Sequence, residues 1–426
     1  MKDENIIFDT KNVVEEKMFK NRESFFYYAK LDTNPQRCPA CGCVKEGHNI
    51  VKNGAKKSRI TLTKVSGLPA YLFLRKQRYY CKECASHFTS KSDIVGEDCF
   101  ISKRVKQMVM DLTTESLTLK QIAEACSISD HTVQNVINGV GDDLKPSIFE
   151  SLPEHISFDE FKNVKNADGN MSFLFIDNSN SQIVDVLGDR RKNHLRNYFL
   201  AYPLKTRQRV QTVTMDMYIP YMEVVQELFP NAKIIIDRFH LVQALNRELN
   251  KLRVAVMNEF RNPDHRLSNK YKKYWRPSLM PREKLNTWEY QPFKLFDWLT
   301  NTGGIVEYLL DKNPMLKVSY NIVHNLREAL QDNDSEAFLT QLAHAKLVKL
   351  PKGLKRMLRT FTKLQRFVGN IFKYQRLANG HIEGLNNKIK VLKRIAYGYR
   401  SFQNFRIRIL MTNKLYRNEL PLVQAA

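Results

Sequence analysis

Two closely spaced cysteine pairs are the first residues of this chain whose types and spacing suggest chemistry. Cys38 and Cys41 form one CxxC pair, and Cys81 and Cys84 form a second. Each pair lets two thiolates reach one metal ion, and four sulfurs complete the tetrahedron that zinc prefers. The pairs therefore predict one structural Zn²⁺, with redox-active or chance pairs as the alternative. The cysteines outside the pairs are expected to be ordinary buried or surface residues: Cys43, Cys99 and Cys126.

Carboxylates near the ends of strand-like segments form the second group. Asp159 lies in HISFDEF, Asp216 ends VQTVTMDM, and Asp237 ends the apolar segment AKIIID. Hard cations take oxygen ligands, and two-metal phosphodiester chemistry needs several carboxylates that converge from different elements. An acid at one strand end is weak evidence, because most such acids are solvated.

A fourth acid, Glu383, opens the helix-like segment IEGLNNKIKVLKR. Asn386, Asn387 and Lys390 follow it by three, four and seven residues and share its helix face. Strands with acids, then a basic helical block, then a glutamate-bearing helix form a more specific pattern than any single acid. This order favours a carboxylate metal site.

A helix-turn-helix pattern occupies residues 119–137, LKQIAEACSISDHTVQNVI. Thr118 and Gln121 form a capping box for the first helix, and Ser129 caps the second. Ser127 stands where a glycine often eases the turn, and an ordinary helical hairpin is the alternative interpretation. In a helix-turn-helix, four polar residues of the second helix face the major groove: His131, Thr132, Gln134 and Asn135.

The composition narrows the class of partner. Lys plus Arg number 68 against 44 Asp plus Glu, and the net charge of +24 implies a polyanion, with nucleic acid ahead of an anionic membrane surface. Hydrophobic residues at 43% and charged residues at 26% exclude disordered and low-complexity classes. Four basic residues between the cysteine pairs are candidates to contact DNA: Lys52, Lys56, Lys57 and Arg59.

The same sequence argues against membranes and export. No run of about 18 uncharged apolar residues occurs, so we expect no membrane span. The opening MKDENIIFDT carries acids where a signal peptide needs bases. Seven cysteines in a chain this long are too few for a disulfide framework and favour metal binding in a reducing cytosol. We therefore expect a cytoplasmic protein.

The run HIEGLNNKIKVLKRIAYGYRSFQNFRIRIL, with FDEF, TMDMYIPY and IIDRFH, resembles the ISL-three family of bacterial insertion-sequence transposases, of the DDE class. The resemblance spans nearly the whole chain and implies a multidomain α/β protein. Its ribonuclease-H-like core would be a mixed sheet of three antiparallel strands continued by two parallel ones, with an all-helical insertion before the Glu383 helix. A small β-rich zinc module and a helix-turn-helix would precede this core.

The resemblance implies the triad Asp159, Asp216 and Glu383, holding two Mg²⁺ or Mn²⁺ ions. In such a sheet the strand of Asp216 pairs with that of Asp159, about 4.8 Å away, whereas Asp237 lies one strand further. Asp237 is thus the competitor of Asp216 and otherwise a support residue. The remaining expected support residues are His240, Asn386 and Asn387.

The family pattern also divides the chain into expected domains. These are an N-terminal segment of unclear structure (1–36), the zinc module (37–95), the helix-turn-helix (100–145), the catalytic domain (150–239 and 373–426) and the helical insertion (240–372). Basic residues after Glu383 are candidates to clamp phosphates, with a solvated helix face as the alternative: Lys388, Lys390, Lys393 and Arg394.

The expected function is binding of the terminal inverted repeats of an insertion sequence, followed by metal-dependent cleavage and strand transfer. Double-stranded DNA, as transposon ends and target, is the expected partner. A homodimer or larger synaptic assembly is expected from the class, because two ends must be handled together. The alternatives are a zinc-containing helix-turn-helix transcriptional regulator and a ribonuclease-H-like nuclease without strand joining.

Overall fold

A computed structural model of the chain describes residues 13–31, 33–96, 98–148, 151–374 and 380–413; it describes no side chain at 15–16, 142–148, 380–381 or 383. The chain divides into two compact units. Unit 1 comprises residues 1–148, 164–167 and 387–426. Unit 2 comprises residues 149–163 and 168–386.

Unit 1 begins with a five-stranded sheet. Its strands are β1 (Val13–Lys20), β2 (Phe25–Leu31), β3 (Ile50–Val65), β4 (Leu68–Cys81) and β5 (His87–Thr89). They lie in the order β1-β2-β4-β3, with β5 paired to β4, and the β2–β4 pair is parallel. Apolar side chains alternate along β2, so that Phe25, Tyr27, Ala29 and Leu31 face the core while their neighbours face outward.

The strands β1 and β2 differ from the sequence-based expectation. The predicted zinc module begins at residue 37, and residues 1–36 carry no predicted structure. In the structure, residues 13–31 supply two strands of the same sheet. Short-range periodicity misses them because β2 pairs with β4, whose residues lie more than forty positions further along the chain.

Four helices of unit 1 follow this sheet along the chain. They are α1 (Lys103–Thr114), α2 (Leu119–Cys126), α3 (Asp130–Ile148) and α15 (Phe402–Thr412). The first three share one apolar core with Ile407 and Met411 of α15. Backbone hydrogen bonds from Thr61 to Phe100 and from Ser102 to Thr61 join the sheet to the start of α1. The helix-turn-helix is thus anchored to the zinc-module sheet.

Unit 2 is built on a second five-stranded sheet. Its strands are β6 (His155–Lys162), β7 (Met171–Asp177), β8 (Gln182–Leu187), β9 (Thr212–Met215) and β10 (Lys233–Ile236), in the order β10-β9-β6-β7-β8. The pairs β6–β7 and β7–β8 are antiparallel, and β6–β9 and β9–β10 are parallel. These are the strand directions that the resemblance implies.

Three helices connect the strands of this sheet: α4 (Lys192–Leu200), α5 (Leu204–Gln208) and α6 (Ile219–Leu228). Aromatic rings fill the space between sheet and helices. Phe158 packs edge-to-face on Phe173 with ring centroids 4.8 Å apart and stacks on Phe199 of α4 at 5.6 Å. The alternation of HISFDEF places Phe158 in this core, which fixes β6 against the helices.

The region after β10 is mainly helical. Its helices are α7 (Arg238–Glu259), α8 (His265–Lys273), α9 (Thr302–Asp311), α10 (Pro314–Gln331), α11 (Ser335–Leu347), α12 (Lys352–Lys363) and α13 (Gln365–Lys373), followed by α14 (Gly380–Ile395). The expectation of an all-helical insertion is wrong in one detail. The short strands β11 (Gln291–Pro292) and β12 (Leu299–Thr300) pair within it, because extended segments flank the apolar anchor Phe296.

Among the described helices, none is both long enough and apolar enough to cross a membrane.

Candidate zinc centre, DNA interface and carboxylate site

The four paired cysteines meet at one end of the unit 1 sheet. Cys38 and Cys41 lie in the loop before β3, while Cys81 ends β4 and Cys84 follows it. Their four sulfurs all lie within 4.8 Å of one another. The Sγ atoms of Cys38 and Cys84 are 3.7 Å apart, and those of Cys41 and Cys81 are 3.8 Å apart. Tetrahedral zinc with Zn–S bonds of about 2.3 Å requires sulfurs about 3.8 Å apart, so this set fits Zn²⁺.

Local hydrogen bonds shape the two knuckles. The backbone N–H of Gly42 donates to the carbonyl of Cys38, and the backbone N–H of Cys81 donates to the carbonyl of Ser86, each at 2.9 Å. A backbone hydrogen bond from Cys41 is the largest influence that lowers the pKa of Cys38, to about 6. A lowered thiol pKa favours the thiolate, which is the form that binds metal.

The remaining cysteines divide into two kinds. Cys126 is buried in the helix-turn-helix core, and Cys99 is half-buried against the core of the unit 1 sheet, as expected of ordinary cysteines. Cys43 differs, because its Sγ lies 3.5 Å from that of Cys81. It lies against the sulfur cluster without belonging to the four. Its position two residues after Cys41 was the sequence signal for this proximity.

The hairpin of β3 and β4 carries a dense basic surface, which we call the basic hairpin. Lys52, Lys56, Lys57 and Arg59 of β3 are all exposed. Lys56 lies directly opposite Lys76 in the strand pairing, and Lys57 lies opposite Arg75. Burial and the nearby charge of Lys56 lower the pKa of Lys76. Like charges placed opposite each other destabilise a strand pair, so this hairpin is suited to a polyanion.

The helix-turn-helix has the predicted caps. The Thr118 hydroxyl accepts the N–H of Gln121 at 3.1 Å, and the Gln121 side chain accepts the N–H of Thr118 at 2.9 Å. Ser129 accepts the N–H of Thr132 at 3.2 Å and so caps α3. Ser127 ends α2 with φ of 55°, a left-handed conformation that favours glycine. The departure noted in the sequence therefore falls at the one strained residue of the turn.

The predicted base-reading residues share the outer face of α3. His131 and Asn135 are exposed, and Nδ1 of His131 lies 3.2 Å from Nδ2 of Asn135. Thr132 and Gln134 are partly exposed. Val133 and Ile137 point into the core, as the apolar spacing predicts. This outer polar face is available to a DNA groove, and which bases it reads remains a prediction.

The basic residues predicted after Glu383 lie in the part of α14 that belongs to unit 1. Lys388 and Lys390 are exposed, as is Arg394, while Lys393 is partly buried. The Lys388 ammonium donates to the carbonyl of Thr412 at 2.9 Å, near the end of α15. Lys388 thus has a structural contact as well as an exposed position, and Asn387 beside it is exposed.

Asp159 and Asp216 occupy neighbouring strands of the unit 2 sheet. The parallel pairing of β6 with β9 matches Ser157 to Thr214. Asp159 lies two residues beyond Ser157, and Asp216 lies two beyond Thr214, so both acids occur at the same level of adjacent strands. Neighbouring strands are about 4.8 Å apart, so the two carboxylates lie near each other.

Burial raises the pKa of the Asp159 carboxyl to about 6, despite a hydrogen bond from the Glu160 N–H and the nearby charge of His240, which lower it. The charge of Asp216 raises it further. Asn386 donates its Nδ2 to Asp159 Oδ2 at 2.7 Å, across 227 positions of sequence. The predicted Glu383 helix therefore contributes an amide to this site.

Asp216 directly follows β9. Burial raises its pKa most, and the charge of Glu160 adds to the rise. Its Oδ1 is buried without a hydrogen-bond partner among the described residues, and so is Oδ1 of Asn386. Buried oxygens without donors are costly unless another group binds them. A divalent cation, which prefers such oxygen ligands, fits this part of the sheet.

Asp237 has a different role from Asp216. It follows β10, one strand further from β6, and its N–H donates to the carbonyl of Met215 at 2.8 Å. Its side chain caps α7 by accepting the N–H of Phe239, and its Oδ2 lies 3.7 Å from Nε2 of His240. These contacts fit a support residue.

Glu383 lies in α14, but its side chain is outside the described residues. The meeting of all three predicted acids therefore stays a prediction.

The other acids of the sheet are engaged by neighbours. Glu160 accepts hydrogen bonds from Arg190 and from the Tyr221 hydroxyl, and Arg190 stacks over Tyr218 at 4.6 Å. Asp185 and Asp189 are buried, the first bound by Tyr198 and the second by Arg191. Hydrogen bonds and an ion pair from these polar partners make the burial of Asp185 and Asp189 tolerable.

The helical region presents the expected basic surface. Its exposed basic residues include Lys272, Lys273, Lys346, Lys349, Lys352, Lys355, Arg356 and Arg359. On α12 they lie opposite the buried Leu354, Leu358 and Phe361.

A four-sulfur zinc site, a capped helix-turn-helix and a sheet with paired buried carboxylates, in one strongly basic chain, define a metal-binding protein that acts on DNA. A family model of DDE transposases of the ISL3 type, described as "Transposase", matches residues 156–409. A second model, the zinc-finger of transposase IS204/IS1001/IS1096/IS1165, matches residues 34–84. The chain belongs to the ISL3 family of transposases, which confirms the resemblance.

Two curated relatives were found. The transposase for insertion sequence element IS1001 of Bordetella parapertussis is 25% identical over 397 residues, which cover 90% of each chain. A Lactococcus lactis subsp. lactis protein described as an ATP-dependent protease is 42% identical over 113 residues. That second match covers 26% of this chain and 35% of the relative, so the chain spans about a third of that relative's length.

Proposed function

We propose that this chain binds the terminal inverted repeats of its insertion sequence and catalyses metal-dependent cleavage and strand transfer of DNA. Family membership supports the reaction class. The strand order of unit 2, three antiparallel strands continued by two parallel ones, supports a ribonuclease-H-like catalytic domain built from 150–239 and 373–426. DNA as substrate also supports a place at the bacterial nucleoid in the cytoplasm.

Asp159, Asp216 and Glu383 are the proposed ligands of two Mg²⁺ or Mn²⁺ ions. The observation that carries this assignment is the pair of carboxylates at one level of adjacent strands, with the buried Oδ1 of Asp216 left without a donor among the described residues. When bound, such ions supply activation of water or a 3′-hydroxyl and stabilise the departing oxygen.

The residues around these ligands hold them in place. The amide of Asn386 and the N–H of Glu160 each hold one oxygen of Asp159. Arg190 and Tyr221 hold Glu160, whose charge bears on Asp216. Asp237 fixes the start of α7 and with it His240, whose charge favours ionised Asp159 and Asp216. Together these residues orient the two carboxylates toward a cation, with His240 favouring their ionised forms and Glu160 opposing ionisation of Asp216.

Unit 1 supplies the proposed recognition of DNA. The zinc module (37–95) and the helix-turn-helix (100–145) carry the basic hairpin and the polar face of α3. Phosphate contacts position a protein on DNA, and base contacts specify the sequence. The helical insertion (240–372) would contact flanking DNA or a second copy of the chain, since a dimer or larger assembly is required to join two ends.

The test is a set of charge-removing variants: Asp159→Asn, Asp216→Asn and Glu383→Gln. Each is expected to lose cleavage of an inverted-repeat duplex in Mg²⁺ by at least about a thousandfold, since ligand oxygens that stabilise the transition state are removed. Binding of the same duplex should change little. Asp177→Asn, at the end of β7 in the same sheet, is the matched control and should cleave normally.

The assay scores joined as well as cut DNA. Cleavage without joined product would replace strand transfer by nuclease activity. Unchanged cleavage in Asp159→Asn and Asp216→Asn would overturn the catalytic assignment. Specific binding with no cleavage by the unmodified chain in Mg²⁺ or Mn²⁺ would favour a transcriptional regulator.

A further inference from the structure

A cavity of about 450 Å³ lies within unit 1, beside the start of α2. Its walls come from residues 117–121, from the end of α14 with the turn that follows, and from Arg408 of α15. Sites for small ligands begin at about 300 Å³, so there is room for a phosphate with its attached sugar. Among the described residues that line the cavity, none is acidic.

Arg408 is the unusual residue of this cavity. It is only 2% exposed, and its Nη2 donates to the carbonyl oxygens of Glu115 at 2.9 Å and Leu117 at 2.8 Å. Its Nε and Nη1 are buried and have no acceptor in the part of the chain that the structure describes. A guanidinium is always charged, and unpaired buried donors are costly, so these two nitrogens call for an anionic acceptor.

The start of α2 adds positive potential on the same cavity. The N–H of Gln121 is taken by the Thr118 cap, whereas Leu119 and Lys120 occupy the first turn, whose N–H groups have no intrahelical acceptor. A helix N-terminus attracts anions, and the exposed Lys120 side chain adds a full charge. Apolar walls from Leu392 and Ile395 limit screening by water.

We propose that this cavity binds one phosphate of the DNA backbone, held by Arg408, Lys120 and the first turn of α2. DNA is the source because α2 is the first helix of the helix-turn-helix, and a phosphate held there fixes the register of α3 in the groove. Tyr397, 96% exposed with φ of 53°, lines the cavity and contacts the adjoining sugar. The inference rests on the proposed binding of transposon ends and names a contact within it.

The experiment measures binding of the full chain to an inverted-repeat duplex and to a random duplex of equal length, by fluorescence anisotropy at several salt concentrations. Arg408→Met and Lys120→Gln are each expected to weaken both complexes about tenfold and to reduce the salt slope by about one. Lys233→Gln, an exposed lysine at the start of β10, is the matched control and should change neither.

A scan of duplexes with single uncharged methylphosphonate linkages locates the phosphate. One linkage is expected to weaken binding by the unmodified chain and by Lys233→Gln, but to have no effect on Arg408→Met. Thermal unfolding checks that Arg408→Met folds. If it does not fold, the surface variant Lys120→Gln is scanned in its place, and the same linkage is expected to lose its effect.

The inference would be overturned if DNA affinity had the same salt dependence in all variants and every methylphosphonate linkage affected Arg408→Met as it affects the unmodified chain. The proposed function would then still stand. Inorganic phosphate could stabilise the unmodified chain but not Arg408→Met, while the two proteins bind DNA equally well. That result would assign the cavity to a free anion and would also overturn the inference. Unchanged cleavage by Asp159→Asn and Asp216→Asn is the separate result that would contradict the catalytic assignment, and it does not depend on this cavity.

Discussion

Buried ionisable side chains in this protein differ in what compensates them. Asp159 and Asp216 have raised pKa values chiefly because of burial, and an oxygen of Asp216 lacks a donor among the described residues. His324 is compensated in another way: it stays neutral, since burial and the charges of Arg327 and Arg282 lower its pKa to about 3. The first two residues are the proposed cation ligands, whereas His324 has no part in the proposed site.

Asn386 is a positioning residue in the proposed site, because its amide fixes one oxygen of Asp159. Asn386→Ala is expected to lower the cleavage rate about 10- to 100-fold, as loss of an outer partner does at metal sites. Much of the loss should return at higher Mg²⁺ concentration, which a cleavage titration with Mg²⁺ would show. Gln182→Ala, which removes an exposed amide at the start of β8 in the same sheet, is the control. A lower rate with unchanged Mg²⁺ dependence would contradict this role.

His324 predicts a pH dependence of stability. Its folded pKa lies below the unfolded value of 6.5, so the unfolded chain binds a proton that the folded chain does not, and stability falls as pH drops from 6.5 toward 3. Between pH 6.5 and 5 the free energy of unfolding should fall by about 2 kcal/mol from this residue. Urea unfolding at both pH values checks it, and His324→Gln should reduce the difference. An equal loss in both proteins would contradict it.

At the scale of elements, short-range rules account for where the recognition helices begin and end. The Thr118–Gln121 capping box starts α2, and Ser127 ends it in a left-handed conformation. The basic hairpin, in contrast, contains an unfavourable local pair, because Lys57 lies opposite Arg75 and like charges weaken strand pairing. Such an arrangement is retained where a ligand supplies the missing negative charge.

The basic hairpin therefore predicts a trade between stability and binding. Lys57→Glu creates an opposite-charge pair with Arg75 and should raise the free energy of unfolding by about 0.2 to 1 kcal/mol. The same variant should bind duplex DNA at least about tenfold more weakly, since it repels phosphates. Unfolding curves and anisotropy on one preparation test both effects. Lys317→Gln is the control for binding, because the native Lys317 is already paired with Asp311. Unchanged DNA affinity would remove the hairpin from the interface.

At the scale of the whole molecule, the zinc site and the proposed catalytic site call for different metals. The four sulfurs of unit 1 fit Zn²⁺, and the carboxylate oxygens proposed as ligands in unit 2 would select Mg²⁺ or Mn²⁺. The net charge of +24 makes DNA affinity strongly salt-dependent. Zinc removal should therefore affect recognition, whereas Mg²⁺ removal should affect the chemistry.

Purified protein is expected to hold about one zinc per chain. Cys38→Ser should lose the metal and most of the affinity for the inverted-repeat duplex, because the sulfur set that closes the module is broken. Cys43→Ser, whose sulfur lies beside the cluster but outside the four, should keep the zinc. Elemental analysis of folded protein measures this, and a value near zero would contradict the site.

The sequence by itself determined those features whose physics is local. The CxxC spacing specified the zinc ligands, the capping residues specified the ends of the helix-turn-helix helices, and the strand pattern placed Asp159 within β6 and Asp216 directly after β9. Only the tertiary structure decided which distant residues meet: β2 with β4, Asn386 with Asp159, and Arg408 beneath the start of α2. The reason is that these contacts join segments tens to hundreds of residues apart, where no local period or cap signals which partners will pack together.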